Sequence, residues 1–233
     1  MLSNVIDYVL PHRCASCSEL ITEDSGICGK CFQKLNFITS PYCNICGFPF
    51  AFAIEGQIVC GNCIATPPKY DLARSLLKFD ENSKNLLYGF KYNDKTHYAK
   101  FFSKLLIARY RKEMHDVDII TPVLMNRFKR LLRNYNPPQV LAKEISNLLN
   151  KQIVPDLLIK TKWTKPQASL TKSQRQKNLA GSIKVNSKYD IRDKIILLID
   201  DVKTTGATSD MCSFLLKSAD VKSAKLMTIC MTL

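Results

Sequence analysis

Residues 195–212 read IILLIDDVKTTGATSDMC, and no other segment of this 233-residue chain constrains its architecture as strongly. The apolar run at 195–199 is typical of a strand buried in a parallel sheet. Asp200 and Asp201 follow it directly, and the turn at 204–208 then opens into a helical segment. Open α/β sheets bind their ligands at the carboxyl ends of parallel strands. The segment therefore predicts an α/β fold with a ligand site at this strand end.

The turn after this strand has the composition of a phosphate-binding loop. Gly206 allows the backbone to come close to an anion, and threonine hydroxyls and helix amino-terminal amides can surround it. The carboxylates of Asp200 and Asp201 would repel a phosphate, so we expect them to face ribose hydroxyls, with Mg²⁺ nearby. An acidic strand end followed by an ordinary helix cap is the alternative interpretation.

This motif resembles the signature for phosphoribosyl pyrophosphate (PRPP) in type I phosphoribosyltransferases, in which a hydrophobic strand precedes two acidic residues and a T-T-G-x-T loop. The resemblance implies that the two carboxylates contact ribose hydroxyls and that residues 202–208 hold the 5-phosphate. The implied PRPP-binding residues are Asp200, Asp201, Val202, Lys203, Thr204, Thr205, Gly206, Ala207 and Thr208. The motif does not specify Lys203, for which a solvated side chain is the alternative. The same resemblance implies a pyrophosphate loop at Thr121, Pro122 and Val123.

Helical and strand patterns alternate through residues 69–233. Apolar helical stripes occur at 98–106 and 141–149, and short apolar runs at 118–123, 153–161, 195–199 and 224–233 indicate strands. We therefore predict a type I phosphoribosyltransferase-like domain at 69–233, with a mostly parallel sheet flanked by helices. Pro67 and Pro68 separate it from a cysteine-rich domain at 1–68.

Eight of the ten cysteines form four C-x-x-C pairs in this first domain: Cys14 and Cys17, Cys28 and Cys31, Cys43 and Cys46, Cys60 and Cys63. Two such pairs complete a tetrahedral zinc site. Sequential pairing, with the first four cysteines on one ion and the last four on another, is the simplest arrangement, and cross-braced pairing is the alternative. Disulfides would need an oxidising compartment, and a redox pair would not need four copies. We predict about two structural zinc ions.

The net charge of +14 is distributed unevenly. Residues 1–68 hold three basic and five acidic side chains, which leaves 31 basic and 15 acidic side chains, a surplus of 16, in residues 69–233. Such a surplus favours polyanionic partners, although a generally basic proteome is the simpler explanation. No apolar run approaches the ~18 residues that a membrane helix needs, and no signal-peptide pattern is present, so we expect a cytoplasmic protein.

Further segments resemble the ComF family of natural-competence proteins, in the family's order. They are NVIDYVLPHRCASC at 4–17, GFKYND at 89–94, TPVLMNRFKRLLRNYNPPQVLA at 121–142, and a final set consisting of Lys162, Thr164, Gln167, Leu170, Arg175 and Asn178. The family's usual R-G-F-N-Q appears as RNYNPPQ at 133–139, a departure that bears on any nucleobase chemistry. The resemblance implies a double zinc ribbon joined to a PRPP-binding domain.

Three functions are compatible with these features. The first is a competence factor that binds PRPP with Mg²⁺ and handles incoming single-stranded DNA, together with other DNA-uptake proteins. The second is a metabolic phosphoribosyltransferase that acts on a nucleobase, and the third is an adaptor whose zinc module binds a partner while the PRPP site is vestigial. For the first, the predicted DNA-binding residues are Arg127, Lys129, Arg130, Arg133, Lys160, Lys162, Trp163, Lys165 and Arg175, with Trp163 as a base-stacking platform.

Overall fold

A five-stranded parallel sheet forms the centre of the protein. The computed structural model describes residues 13–21, 26–52, 56, 58–92, 97–124, 135–160 and 182–233. In spatial order the sheet is β1-β7-β6-β2-β3, and every pairing in it is parallel. Its strands are β1 (Leu72–Lys78), β2 (Ile119–Pro122), β3 (Gln152–Ile153), β6 (Ile195–Lys203) and β7 (Ser223–Met231). Strands β4 (Leu158–Lys160) and β5 (Ile183–Val185) form a separate antiparallel pair.

Six helices lie in the described part of the chain. They are α1 (Gly29–Gln33), α2 (Gly61–Ala65), α3 (Glu81–Tyr92), α4 (His97–Met114), α5 (Pro137–Leu149) and α6 (Ala207–Lys217). Helix α5 begins with two prolines, which the first turn accepts because its N–H groups have no intrahelical acceptor. It ends at Asn150, whose left-handed φ of 51° closes the last turn.

The two faces of the sheet bury two separate sets of side chains. From Ile195 to Ile199, alternate residues of β6 point to opposite faces, as the pleat requires. Leu197 and Ile199 belong to a core that contains side chains of α3, α4 and α5. Ile196 and Leu198 belong to a second core that contains Cys212 and Leu216 of α6. The sheet therefore lies between two helical layers.

The cysteine-rich segments are attached to this sheet, and each half contributes to a different core. Cys14 and Cys31 belong to the core on the α3–α5 side, whereas Cys43, Cys46 and Cys63 belong to the core on the α6 side. Backbone hydrogen bonds also join them to β1: the Ile38 N–H donates to the Leu76 carbonyl at 3.0 Å, and the Ala73 N–H donates to the Ile45 carbonyl at 2.6 Å. Residues on either side of position 68 thus share buried cores.

The predicted fold class, an α/β protein with a mostly parallel sheet flanked by helices and an N-terminal four-C-x-x-C module, is confirmed. Two strand predictions were wrong in detail. The segment 153–161 is not one strand, because a turn at Pro155 separates β3 from β4. Strand β6 continues past Ile199 to Lys203, so Asp200 and Asp201 are inside the strand. Strand β1, whose seven residues carry Arg74 and Ser75 among apolar ones, was not predicted.

Candidate functional site

Asp200, Asp201 and the turn that follows them line a cavity of about 380 Å³ at the carboxyl end of β6. This volume is in the range of small-ligand sites, roughly 300–1,000 Å³. The Asp201 N–H donates to Oδ1 of Asp200 at 2.8 Å, which orients that carboxylate. The remaining lining residues come from the same segment and from five other parts of the chain. They are Phe79, Lys91, Val123, Leu124, Pro138, Val202, Thr204, Thr205, Gly206, Ala207, Thr208, Ser209 and Thr232.

Lys91 of α3 is a cavity residue to which the sequence interpretation gave no role. Its Nζ lies 3.1 Å from Oδ2 of Asp201, and the two side chains are only 18% and 14% exposed. The residue belongs to the GFKYND segment, which was noted only for its resemblance to a family pattern. Its contact with Asp201 places a cation in the wall of the cavity beside the predicted ribose site, where it can also meet an anionic ligand.

Asp200 has an unusual protonation equilibrium. Its removal from water raises the pKa of the Asp200 carboxyl, and the neighbouring Asp201 carboxylate raises it further, to about 8, against the smaller lowering effects of the Asp201 N–H and of Lys91. Displacement of a carboxyl pKa toward neutrality is common at ligand and catalytic sites. The contribution of the Asp200 carboxyl to protein stability should therefore depend on pH, and this dependence can be measured.

Asp200→Asn is expected to stabilise the ligand-free protein by a larger margin at pH 8.5 than at pH 5. A carboxyl whose pKa is raised in the folded state contributes its full stability only below its unfolded-state pKa, and that contribution is lost as the pH rises from about 4 to about 8. Asparagine stays neutral throughout and can still accept the hydrogen bond from Asp201. Thermal denaturation at both pH values tests this, and an equal melting-temperature difference at pH 5 and pH 8.5 would contradict it.

The turn 204–208 has the backbone of an anion-binding loop. Gly206 has a φ of +71°, in the left-handed region that glycine adopts without strain, and it precedes the first residue of α6. The N-cap residue Gly206 has no side chain to cap α6, and Thr205 Oγ1 accepts from the Ala207 N–H at a long distance of 3.5 Å. The N–H groups of a first helical turn have no intrahelical acceptor, and the helix dipole is positive there. The end of α6 is thus oriented to receive a phosphate group from the cavity.

Lys203 lies differently from what its place in the motif suggests. Its side chain is not solvated, because the residue is 9% exposed, and it is not among the residues that line the 380 Å³ cavity. Its Nζ donates to the Cys46 carbonyl at 2.8 Å and lies 5.5 Å from the centre of the Tyr70 ring. Lys203 therefore connects the strand end to the cysteine-rich segment.

The predicted pyrophosphate loop reaches the cavity with only part of its length. Val123 lines the cavity and Leu124 follows it there, whereas Thr121 and Pro122 belong to β2 and are not lining residues. Thr121 is fully buried, and within the described residues its Oγ1 has no hydrogen-bond partner. Only the residues that follow Pro122 therefore border the cavity.

Most of the predicted DNA-binding residues lie outside the described residues. Lys160 is described at the end of β4 and is partly exposed. The others fall in the segments 125–134 and 161–181, which the structure does not describe; they are Arg127, Lys129, Arg130, Arg133, Lys162, Trp163, Lys165 and Arg175. Their assignment to DNA stays a prediction.

The eight N-terminal thiols form two groups in sequential order. One consists of Cys14, Cys17, Cys28 and Cys31, and the other of Cys43, Cys46, Cys60 and Cys63, with the sulfur atoms in each group within 4.8 Å of one another. A tetrahedral zinc ion with Zn–S bonds of about 2.3 Å separates its sulfurs by about 3.8 Å. The Sγ atoms of Cys17 and Cys28 are 3.8 Å apart, and those of Cys46 and Cys60 are 3.6 Å apart.

Backbone amides prepare both groups for metal binding. The N–H of Cys28 donates to Sγ of Cys14 at 3.3 Å, and Sγ of Cys43 accepts from the N–H groups of Cys46 at 3.5 Å and Cys60 at 3.3 Å. Burial opposes ionisation of the Cys43 thiol, but these donors outweigh it and lower its pKa to about 7. Thiolates are the form that binds zinc. Both groups fit structural zinc, and with four thiolates each they leave no open coordination position.

In the part of the chain that the structure describes, no helix combines the length and the apolar character that crossing a bilayer requires.

Comparison with known proteins gives similarities over both parts of the chain. The double zinc ribbon domain family matches residues 5–64. Competence protein F of Haemophilus influenzae is 26% identical over 221 residues, which cover 92% of this chain and 94% of that protein. DNA utilization protein YhgH of Escherichia coli is 24% identical over 213 residues, 89% and 91% of the two chains. A purine phosphoribosyltransferase structure from Pyrococcus horikoshii is 20% identical, with a TM-score of 0.35 over 56% of this chain and 70% of that one.

Proposed function

This chain belongs to the ComF family of competence proteins, and on that premise we propose that it is a cytoplasmic factor in DNA uptake that binds PRPP with Mg²⁺ and handles single-stranded DNA. Other proteins of the uptake pathway are its proposed partners. One observation carries the PRPP part of the proposal: a pair of adjacent carboxylates and the amino terminus of α6 line the same cavity.

Two sets of lining residues suit the two parts of a phosphorylated sugar. Asp200 and Asp201 offer acceptors for ribose hydroxyls, while the turn 204–208 offers N–H and hydroxyl donors for the 5-phosphate. Carboxylates and substrate phosphates are also the oxygen ligands that Mg²⁺ takes in proteins. When bound, Mg²⁺ would neutralise part of the charge of the pyrophosphate group. Lys91, which contacts Asp201, would supply a second positive charge to the same ligand.

The DNA part of the proposal rests on charge and on the relatives. The surplus of 16 basic side chains lies wholly in residues 69–233, whereas the segment 1–68, with three basic and five acidic residues, is the poorer candidate for DNA binding. A relative that covers 89% of this chain is named as a DNA utilization protein. The phosphates of a DNA strand attract such a surplus of positive charge whatever the base sequence.

A binding experiment with four conditions tests this function. The affinity of the full chain for single-stranded and double-stranded DNA of the same length is measured with and without PRPP and Mg²⁺, and PRPP binding is followed separately by calorimetry. We expect binding of PRPP and a preference for single strands. PRPP consumption with a nucleobase, in a protein that does not bind DNA, would instead support a metabolic transferase. Binding of neither DNA nor PRPP would favour an adaptor.

Charge reversal at Arg127 and Arg130 is expected to weaken DNA binding for all sequences alike. Each lost phosphate contact on a single strand should reduce the slope of log affinity against log salt by about 0.7, because fewer counterions are released. The measurement is fluorescence anisotropy over a series of salt concentrations. Lys30→Glu with Lys34→Glu changes the net charge equally but uses exposed lysines of the cysteine-rich segment. If this control flattens the slope as much, the DNA surface is not at 127–130.

A further inference from the structure

The phosphate turn rests on the second cysteine group through one side chain. Lys203 is the last residue of β6 and directly precedes the turn. Its Cε would be 3.7 Å from a Cβ placed on Gly206, so its aliphatic chain runs beneath the glycine that shapes the turn. From there its Nζ reaches the Cys46 carbonyl at 2.8 Å. The turn and the metal-binding loop thus hold the two ends of the same lysine.

The surroundings of the Lys203 ammonium explain why it is directed away from solvent. The residue is 9% exposed, and the face of the Tyr70 ring lies 5.5 Å from Nζ. A zinc ion with four thiolates leaves a net negative charge on the second group, which a buried cation beside it offsets. An empty or oxidised group would present a different charge and a different loop to the same ammonium.

The metal-binding loop is itself held rigidly against the sheet. The Ile45 carbonyl accepts from the Ala73 N–H at 2.6 Å, and Nη1 of Arg74 donates to the Asn44 carbonyl at 3.1 Å. Gly47 has a φ of +73°, and a Cβ there would lie 2.7 Å from the Ala73 carbonyl oxygen. The loop is thus packed closely against β1, and a change in the metal site that displaced the Cys46 carbonyl would displace the acceptor of Lys203.

Among the described residues, the first cysteine group has no such connection to the turn. It packs into the core on the opposite face of the sheet, with side chains of α3, α4 and α5. The second group shares its core with α6, the helix that begins at the phosphate turn. A groove of about 450 Å³ is also lined both by Cys46, Cys60 and Cys63 and by residues 203–207. The two metal sites therefore differ in their relation to the ligand site.

We propose that zinc in the second cysteine group positions the phosphate turn through the Lys203–Cys46 contact, so that zinc and a phosphate ligand favour each other's binding, whereas zinc in the first group does not affect the turn. The inference rests on the proposed PRPP site. Lys203 is in this view a positioning residue that acts on the ligand through the turn. Linkage makes the effect reciprocal: if zinc strengthens ligand binding by some factor, the ligand strengthens zinc binding by the same factor.

The test is the release of zinc from the full chain to a chromogenic chelator, with and without Mg²⁺ and PRPP. We expect Mg²⁺ and PRPP to reduce the release of one of the two zinc ions by roughly 5-fold or more, which is within the range of ordinary coupling between sites. Cys17→Ser disrupts only the first group, so the ligand should still protect the zinc of the second group in this variant. In Lys203→Met the protection should disappear and PRPP affinity should fall by a similar factor. Lys222→Met, an exposed lysine at the opposite end of the sheet, is the matched control.

Reconstitution of Cys17→Ser with Co²⁺ gives a readout that a merely structural lysine would not change. The d–d bands of cobalt in the second group should shift when Mg²⁺ and PRPP are added. Zinc release that is indifferent to the ligand, while calorimetry detects PRPP binding to the wild-type protein, would overturn the coupling and leave the proposed PRPP site intact. No PRPP binding by calorimetry would refute the site itself. The wild-type measurement decides the question even if Lys203→Met does not fold.

Discussion

Cys43→Ser is expected to remove one of the two zinc ions and to lower the melting temperature of the protein by far more than Cys17→Ser does. Zinc binding to small cysteine modules is worth about 10–16 kcal/mol of apparent free energy, and in such modules it is also folding free energy. Cys43 has no exposed surface, and its Sγ accepts two backbone hydrogen bonds. Serine cannot replace the thiolate as a zinc ligand. Loss of the thiolate also leaves those N–H groups with a poorer hydrogen-bond acceptor.

The difference between the two variants follows from the location of the two thiols. Cys17 is exposed, whereas Cys43 packs in one core with Tyr70, Ala73 and Ile196, which lie after residue 68. Loss of the second zinc should therefore loosen the attachment to β1 as well as the loop. Metal analysis together with calorimetric denaturation measures both effects. Equal melting temperatures for the two variants at equal loss of one zinc would show that the second group does not support the sheet.

Asp200→Asn combined with Asp201→Asn is expected to abolish the stabilisation of the protein by PRPP and Mg²⁺. A ligand at one hundred times its dissociation constant stabilises the native state by about 2.7 kcal/mol, which is several degrees in melting temperature for a protein of this size. Asparagine keeps the shape of each side chain but removes the charge that Mg²⁺ and Lys91 require. The free double variant should still fold, because neutral side chains relieve the repulsion between the adjacent carboxylates.

The measurement is the melting temperature with and without PRPP and Mg²⁺. Asp190→Asn with Asp193→Asn makes the same two substitutions at exposed positions before the other end of β6 and serves as the control. The control should respond to PRPP as the wild-type protein does. A full response in the Asp200 and Asp201 variant would mean that PRPP binds elsewhere or that the carboxylates do not contact the ribose.

Two features of the molecule could be predicted because they depend on residues close together in the chain. Two intervening residues bring both thiolates of a C-x-x-C pair to one metal ion, and the sequential grouping of Cys14–Cys31 and Cys43–Cys63 is the one found. The strand, the acidic pair and the turn at 195–208 are continuous in sequence. Their order alone places carboxylates and helix amides at one edge of a parallel sheet. Local spacing therefore determined the zinc groups and the position of the cavity.

Other features depend on contacts between distant segments, which no local pattern encodes. Lys203 was expected to bind PRPP or to be solvated, yet it donates to Cys46, 157 positions away. Lys91 belongs to another element than Asp201, and only the packing of α3 at the end of β6 brings them to 3.1 Å. The placement of the two cysteine groups on opposite faces likewise depends on which side of the sheet each segment packs. Burial of apolar surface selects that side, and burial is a property of the whole assembled core.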